Sequence, residues 1–258
     1  MNNYTTELYN SFGMQDYFII YFDILGYKNI VNQKNKEKDL SLLTTINDCI
    51  VLSKNLFSAM KNTPINCDIK MKVFSDNFFY CSVKDYIPLI TFIGCLQCAL
   101  IQFNTFIRGS LSFGSIVYND DFIFGKGLID AFENESEIAV FPRIIVDNSF
   151  FAGAAKIETK NKNAPISIND IRSVLRHFFN VDFDNNEFID YLGIMKNYRD
   201  NAYTGSETYN FQKLLYEHGK NICNNLMTEN KIILQKYHWC CNYHNKFCEK
   251  HNYNDLLI

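Results

Sequence analysis

The run YFIIYFDILGYKN at positions 17 to 29 constrains the fold most. Residues 17 to 25 are apolar, aromatic and β-branched almost without a break, and Gly26 ends them. Such a strand is buried on both faces, so it belongs in the middle of a layered sheet rather than at its edge. The exception is Asp23, a carboxylate at the end of an otherwise apolar segment. A chain of 258 residues with 47% hydrophobic content can bury the layers this strand needs.

The flanking pattern supplies those layers. Residues 36 to 61 place Leu40, Leu43, Ile46, Ile50, Leu52, Leu56 and Met60 on roughly one helical face. Residues 69 to 83 read as two strands folded about Ser75, Asp76 and Asn77, small polar residues that suit a turn. A helix capped by Asp85 is expected to run to about Phe106, apolar nearly all round and therefore central. Strands follow at 107 to 117 and 122 to 124, a helix at 127 to 136, and a strand at 143 to 147. The order β-α-ββ-α-ββ-α-β predicts an α+β fold on a ferredoxin-like core, an antiparallel sheet with helices on a face. Residues 1–150 read as this core. Residues 151–258 read as a helical elaboration packed on it, with a loop at 158 to 163 and helices at 169 to 179, 207 to 227 and 231 to 251.

Net charge of −3, from 25 Lys and Arg against 28 Asp and Glu, gives no support to a general polyanion binder, so no nucleic-acid partner is expected. The nine cysteines are odd in number, and the polar N-terminus shows no signal-peptide pattern, which predicts reduced thiols in a cytoplasmic protein. The apolar stretch from 87 to 101 is shorter than the roughly 20 residues a spanning helix needs, so no membrane anchor is expected.

In a ferredoxin-like sheet the first strand lies beside the third, and the end of strand one meets the turn between strands two and three. Asp23 and Asp76 would meet there. Two carboxylates with no cation between them repel, and hard oxygen ligands suit Mg²⁺ or Mn²⁺. Lys72 and Phe74 alternate with Asp76 on one strand face, a cation and an aromatic beside a carboxylate, which suits a nucleoside triphosphate. Taken alone, an Asp after an apolar strand is more often a turn former, and Lys72 more often a solvated strand residue. Composition and periodicity do not decide between these readings.

The motifs carry a resemblance. FDILGY at 22 to 27 looks like the F-x-D-I-x-G-F motif of class III nucleotidyl cyclases, KVFSD at 72 to 76 like their K-x-x-G-D hairpin, and RGSLSFG at 108 to 114 like their R-x-G-I-x-x-G strand. Together with GKGLIDAFENES, FPRIIVD and the C-terminal KYHWCCNYHN, they more closely resemble the Pycsar pyrimidine cyclases of bacterial antiphage defence. The resemblance implies that Asp23, Asp76 and the Ile24 carbonyl hold two divalent ions, Mn²⁺ or Mg²⁺. It implies that Leu25, Gly26 and Tyr27 offer backbone N–H groups to phosphates, and Lys72 matches the lysine that reads the base in adenylate cyclases. UTP or CTP would be the substrate, a homodimer would carry sites at its interface, and a cyclic-nucleotide-activated effector would respond to the product.

Two departures from the family pattern stand out. Ile129 and Glu133 stand where purine cyclases have an Asn/Arg pair, leaving Arg108 and Arg143 as candidates for the catalytic arginine, and Ser75 replaces the hairpin glycine. The cysteines and histidines of 238 to 251 read as core packing around Trp239 rather than a zinc site, because one straight helix cannot wrap four ligands around an ion. DFDNNEFIDYLG from Asp182 lacks the glycine and the bidentate Glu of a calcium loop.

Overall fold

The computed structural model describes residues 13–26, 36–61, 68–201 and 211–258. Its sheet is ordered around the opening strand. β1 (Gln15–Ile24) pairs antiparallel with both β3 (Asn77–Ser82) and β4 (Ile107–Tyr118), and β2 (Lys70–Phe74) lies outside β3. The resulting order β4-β1-β3-β2 is that of a ferredoxin-like core. Helix α1 (Lys36–Lys61) connects β1 to β2, and α2 (Tyr86–Leu100) connects β3 to β4.

Alternation along β1 divides the core. Phe18, Ile20, Phe22 and Ile24 face a large apolar cluster that includes Leu89, Ile90, Phe92 and Ile93 of α2. Tyr17, Ile19 and Tyr21 face a smaller cluster on the other side, and Asp23 follows them in the same alternation. That second face is crossed by α3 (Lys126–Glu133), which follows the short strand β5 (Ile123–Phe124). A Cβ on Gly114 of β4 would come within 2.7 Å of the Gly127 backbone, so two glycines let α3 lie directly on the sheet. The window Tyr86–Phe103 is long and apolar enough to cross a membrane by composition, but 61% of it is buried, and α2 is the central core helix. α2 stops at Leu100, earlier than expected, because a tight turn at Ile101–Phe103 ends on Asn104 in the left-handed region (φ 51°).

β6 (Ile144–Val146), the strand expected at 143 to 147, runs parallel to β4. The second half adds a hairpin of β7 (Phe179–Val181) and β8 (Glu187–Ile189), which extends the sheet beyond β6. These two three-residue strands are too short to show an alternating pattern. The expected loop at 158 to 163 belongs mostly to α4 (Asn148–Lys162), whose polar residues form its solvent face, with Lys162 3.6 Å from Glu158 one turn away. α5 (Ile168–Leu175) and α6 (Tyr191–Asn201) flank the hairpin, and α7 (Phe211–Asn225) and α8 (Lys231–Lys250) complete the chain close to the expected positions. Asp85 occupies the N-cap position of α2, but its carboxylate makes no cap bond and accepts from the Ser82 hydroxyl and the Asp68 N–H instead.

Candidate active site

β-Sheet register brings the sequence-predicted carboxylates together. Asp23 stands opposite Asn77 on one side and Arg108 on the other, so Asp76 at the hairpin tip and Arg108 on β4 flank the end of β1. Gly109 permits this closeness: a Cβ there would sit 2.2 Å from the Tyr21 carbonyl. Arg108 holds Asp23 with a fork, Nε to Oδ1 at 3.0 Å and Nη2 to Oδ2 at 2.9 Å. The same Nη2 lies 2.8 Å from Oε1 of Glu135, and Nη1 reaches the Ala139 carbonyl at 3.5 Å.

Glu135 lies within the stretch GKGLIDAFENES but is given no role by the sequence reading. It is 3% exposed and sits in a π-helical turn, Asn134–Ile138, that widens the end of α3. Helical periodicity alone gives no sign of such a turn. Its carboxyl is pushed up to about 7 by burial and by the negative charge of Asp23 and Asp76, with Arg108 opposing. Although Arg108 is within ion-pair distance, the Glu135 Oε1 atom lacks an aligned hydrogen bond. Nearby, the Tyr21 hydroxyl donates to Asn77 Oδ1 (3.0 Å), and Asn77 Nδ2 donates to Asp76 Oδ1 (3.3 Å). Burial and the carboxylates of Glu135, Asp23 and Asp76 push the Tyr21 phenol up to about 12, so it stays protonated as a donor.

A second unforeseen group comes from the far end of the chain. Lys236 on α8 is partly buried and feels the charges of Arg108, Asp23 and Glu135; burial and Arg108 lower its pKa, while the two carboxylates oppose them. Its neighbour Tyr237 packs edge-on against Phe106, just before β4. No pattern in the sequence links residue 236 to residue 23.

Other predicted residues are placed differently. Ile24 ends β1 opposite Ile107, with its side chain in the large core. The Leu25 N–H, expected to bind phosphate, donates to the Phe106 carbonyl at 2.9 Å, because bonding to the β4 side continues one residue past the strand. Gly26 turns the chain with φ 89°, and Tyr27 lies outside the described residues. Lys72 and Phe74 share the Asp23 face of the sheet, but the Lys72 amine donates to the Asp120 carbonyl and lies over the Tyr118 ring. Phe74 is 47% exposed. Ser75 adopts φ 61°, the conformation that explains a glycine in the family hairpin.

Arg143 is not at this site. It is fully buried, and its guanidinium pairs with Asp182 and Asp184 in the β7–β8 turn, the segment with a superficial calcium-loop pattern. Phe141, Phe188 and Trp239 surround it at 5.4 to 5.8 Å. His218 and His244 are structural as well. His244 Nε2 must donate to the Leu256 carbonyl (2.8 Å), so its Nδ1 accepts from His218 Nδ1 (3.0 Å), and His218 Nε2 accepts from Tyr191 (2.9 Å).

The donor set of Asp23, Asp76 and Glu135 is hard oxygen, carries more negative charge than Arg108 neutralises, and includes a buried oxygen without an aligned donor. It fits a divalent cation. Among the described residues no three acidic, His or Cys side chains are already gathered as ligands, so binding requires the carboxylates to draw in and Arg108 to release Asp23.

No protein-family model matches the sequence, and no curated protein matches it. Among solved structures the chain is similar to the catalytic core of a rhodopsin-guanylyl cyclase with converted specificity in complex with ATPalphaS, with 13% identity and a TM-score of 0.42 over 54% of this chain and 82% of that one. It is also similar to a bacterial light-regulated adenylyl cyclase, at 15% identity and 0.42 over 56% of this chain and 45% of that one. A further structure of a bacterial light-regulated adenylyl cyclase shows 12% identity and 0.44 over 72% and 57%. The chain thus spans about half the length of the two light-regulated proteins. At these scores the likeness is one of fold and carries no chemistry.

Proposed function

We propose that this chain is a cytosolic, metal-dependent nucleotidyl cyclase that converts UTP, or CTP, to the 3′,5′-cyclic monophosphate and pyrophosphate, producing a signal for an effector in antiphage defence. The observation that carries the reading is the convergence of Asp23, Asp76 and Glu135 at the end of β1, beside Arg108, within motifs that resemble those of class III cyclases. Asp23, Asp76 and the Ile24 carbonyl are the groups that would hold two Mn²⁺ or Mg²⁺ ions. Bound there, the metal supplies Lewis acidity that favours ionisation of the ribose 3′-hydroxyl and neutralises charge on the leaving pyrophosphate.

The protein's own groups do the rest. A carboxyl held near 7, such as Glu135, is matched to accept the 3′-hydroxyl proton at neutral pH. Arg108, once released from Asp23, places a guanidinium where negative charge develops on the phosphates, and so takes the part of the missing Asn/Arg pair. Lys72 and Phe74 offer a cation and an apolar surface on the same sheet face. Homodimerisation through this face is supported by the apolar surface of Phe74, Ile129 and Phe132, which are 47%, 56% and 51% exposed. The free thiols of the described cysteines accord with a reducing compartment.

A second reading is favoured by one observation: Arg108 engages both oxygens of Asp23, as expected of a nucleotide-binding module that does not turn over. Incubation with each of the four NTPs and Mn²⁺, with products identified by mass, separates the readings. Cyclic UMP or cyclic CMP is the expected product, lost in Asp23→Ala. Cyclic AMP or GMP would make the protein a purine cyclase, and no product from any NTP would leave the binding module.

A further inference from the structure

α8 carries two adjacent ridges with a four-residue period. Trp239, Tyr243 and Phe247 form one, and Asn242, Lys246 and Lys250 lie along the other. Both ridges line a half-open cavity of about 400 Å³, closed on its far side by the β7–β8 hairpin. That volume lies within the range of small-molecule sites. The cavity is separate from the carboxylate cluster, and the proposed chemistry does not use it.

Its lining has a definite chemistry. Phe141 and Phe183 meet edge to face (5.4 Å), and Phe183 is 72% exposed at the rim, an aromatic side chain left available to stack on a ligand. Trp239 stacks on Phe141 and on Tyr243 and supports this surface from behind. Amides come from Asn180 on β7 and from Gln235 and Asn242 on α8. The acids in the wall are engaged: Asp182 pairs with Arg143 and accepts from the Trp239 indole, and Asp190 accepts from the Tyr243 hydroxyl at 2.7 Å and the Gly193 N–H at 3.1 Å. Lys246 and Lys250 form no ion pair within the described residues, so two ammonium groups stand unpaired along the α8 side of the cavity. An aromatic surface, amides that can pair with a base edge and two ammonium groups together select a flat heterocycle bearing an anion.

We propose that this cavity binds a nucleoside monophosphate, with its base against Phe141 and Phe183, its edge read by the amides and its phosphate held by Lys246 and Lys250. The cavity and the carboxylate cluster draw on neighbouring residues of the chain. Phe141 lies two positions after Ala139, whose carbonyl receives Arg108, and Trp239 lies one helical turn after Lys236.

Trp239 is the single tryptophan of the chain, so its fluorescence reports on this cavity alone. The full chain is titrated with UMP and AMP by fluorescence and calorimetry, with uridine and inorganic phosphate as separate arms. The expected result is saturable binding of a monophosphate, at least about tenfold weaker for uridine and for phosphate, and weakened at least about tenfold in the Lys246→Glu, Lys250→Glu double variant. Both lysines are exposed, so this variant keeps the fold, which its melting curve verifies. Asp23→Ala is expected to retain binding, so a failed cyclase reading leaves this proposal standing. The proposal is overturned by absence of saturable binding, by phosphate binding as tightly as UMP, or by binding that survives the double variant and is lost in Asp23→Ala.

Discussion

Two arginines open neighbouring strands and have opposite surroundings. The Gly109 N–H of β4 bonds to the Arg143 carbonyl, so Arg108 and Arg143 stand beside adjacent strands, each facing a pair of acids. The Arg143 side chain is fully buried, three aromatic rings surround the guanidinium, and Asp184 is held below the usual carboxylate range: burial opposes this, but Arg143 and Asn186 outweigh it. Around Arg108 the side chain is 21% exposed, a third carboxylate is within electrostatic reach, and Glu135 is pushed up to about 7. One cluster pairs both of its acids with a single buried guanidinium. The other carries a surplus that a cation would relieve, which separates a structural staple from a candidate reaction site.

Breaking the staple is expected to give the largest effect. Arg143→Met leaves Asp182 and Asp184 without their cation and should cost about 3 to 5 kcal/mol in urea unfolding. Arg108→Met, at a partly exposed site with surplus negative charge, should cost less, about 1 to 3 kcal/mol. Equal losses in the two variants would erase the distinction.

Glu135 sharpens the comparison through pH. Its folded pKa lies above the unfolded value, so between about 4.5 and about 7 the folded state holds a proton that the unfolded state has released. The stability this contributes is present at low pH and falls as pH rises through that window. Glu135→Gln removes the fall, so the variant should gain on the wild type between pH 5 and pH 8 in paired unfolding curves. A constant difference across that range would show that Glu135 titrates normally.

The smallest effect concerns the hairpin tips. Each cluster adjoins one with a left-handed residue, Asn185 (φ 63°) near Arg143 and Ser75 (φ 61°) beside Asp76. Asn tolerates that conformation better than Ser does, so strain is concentrated at the candidate reaction site. Ser75→Gly should raise stability by about 0.5 to 1 kcal/mol, measured by thermal or urea unfolding. Destabilisation would mean that the serine hydroxyl contributes more than its backbone conformation costs.

The amphipathic and apolar patterns reach as far as β1, the 70 to 82 hairpin and the helices α1, α2 and α8, because each is long enough for its period to show. β7, β8 and the π turn at Glu135 are too short or too irregular to have a period, and they escape such a reading. The site divides in the same way. Asp23, Asp76 and Arg108 lie in motifs that assign them chemistry, whereas Glu135 and Lys236, inside the stretches GKGLIDAFENES and KYHWCCNYHN, are given no role there and join the others only through tertiary packing. Arg143 was indistinguishable from Arg108 in the sequence, since both precede apolar strand residues; only the acidic hairpin turn facing Arg143 separates them.

The most direct test is the uptake of Mn²⁺ by the purified protein with UTP present, followed as loss of the free-ion paramagnetic resonance signal. The account predicts saturable uptake by the wild type that is abolished in both Asp23→Ala and Asp76→Ala variants that retain the wild-type melting transition. Uptake by those variants equal to that of the wild type would contradict it.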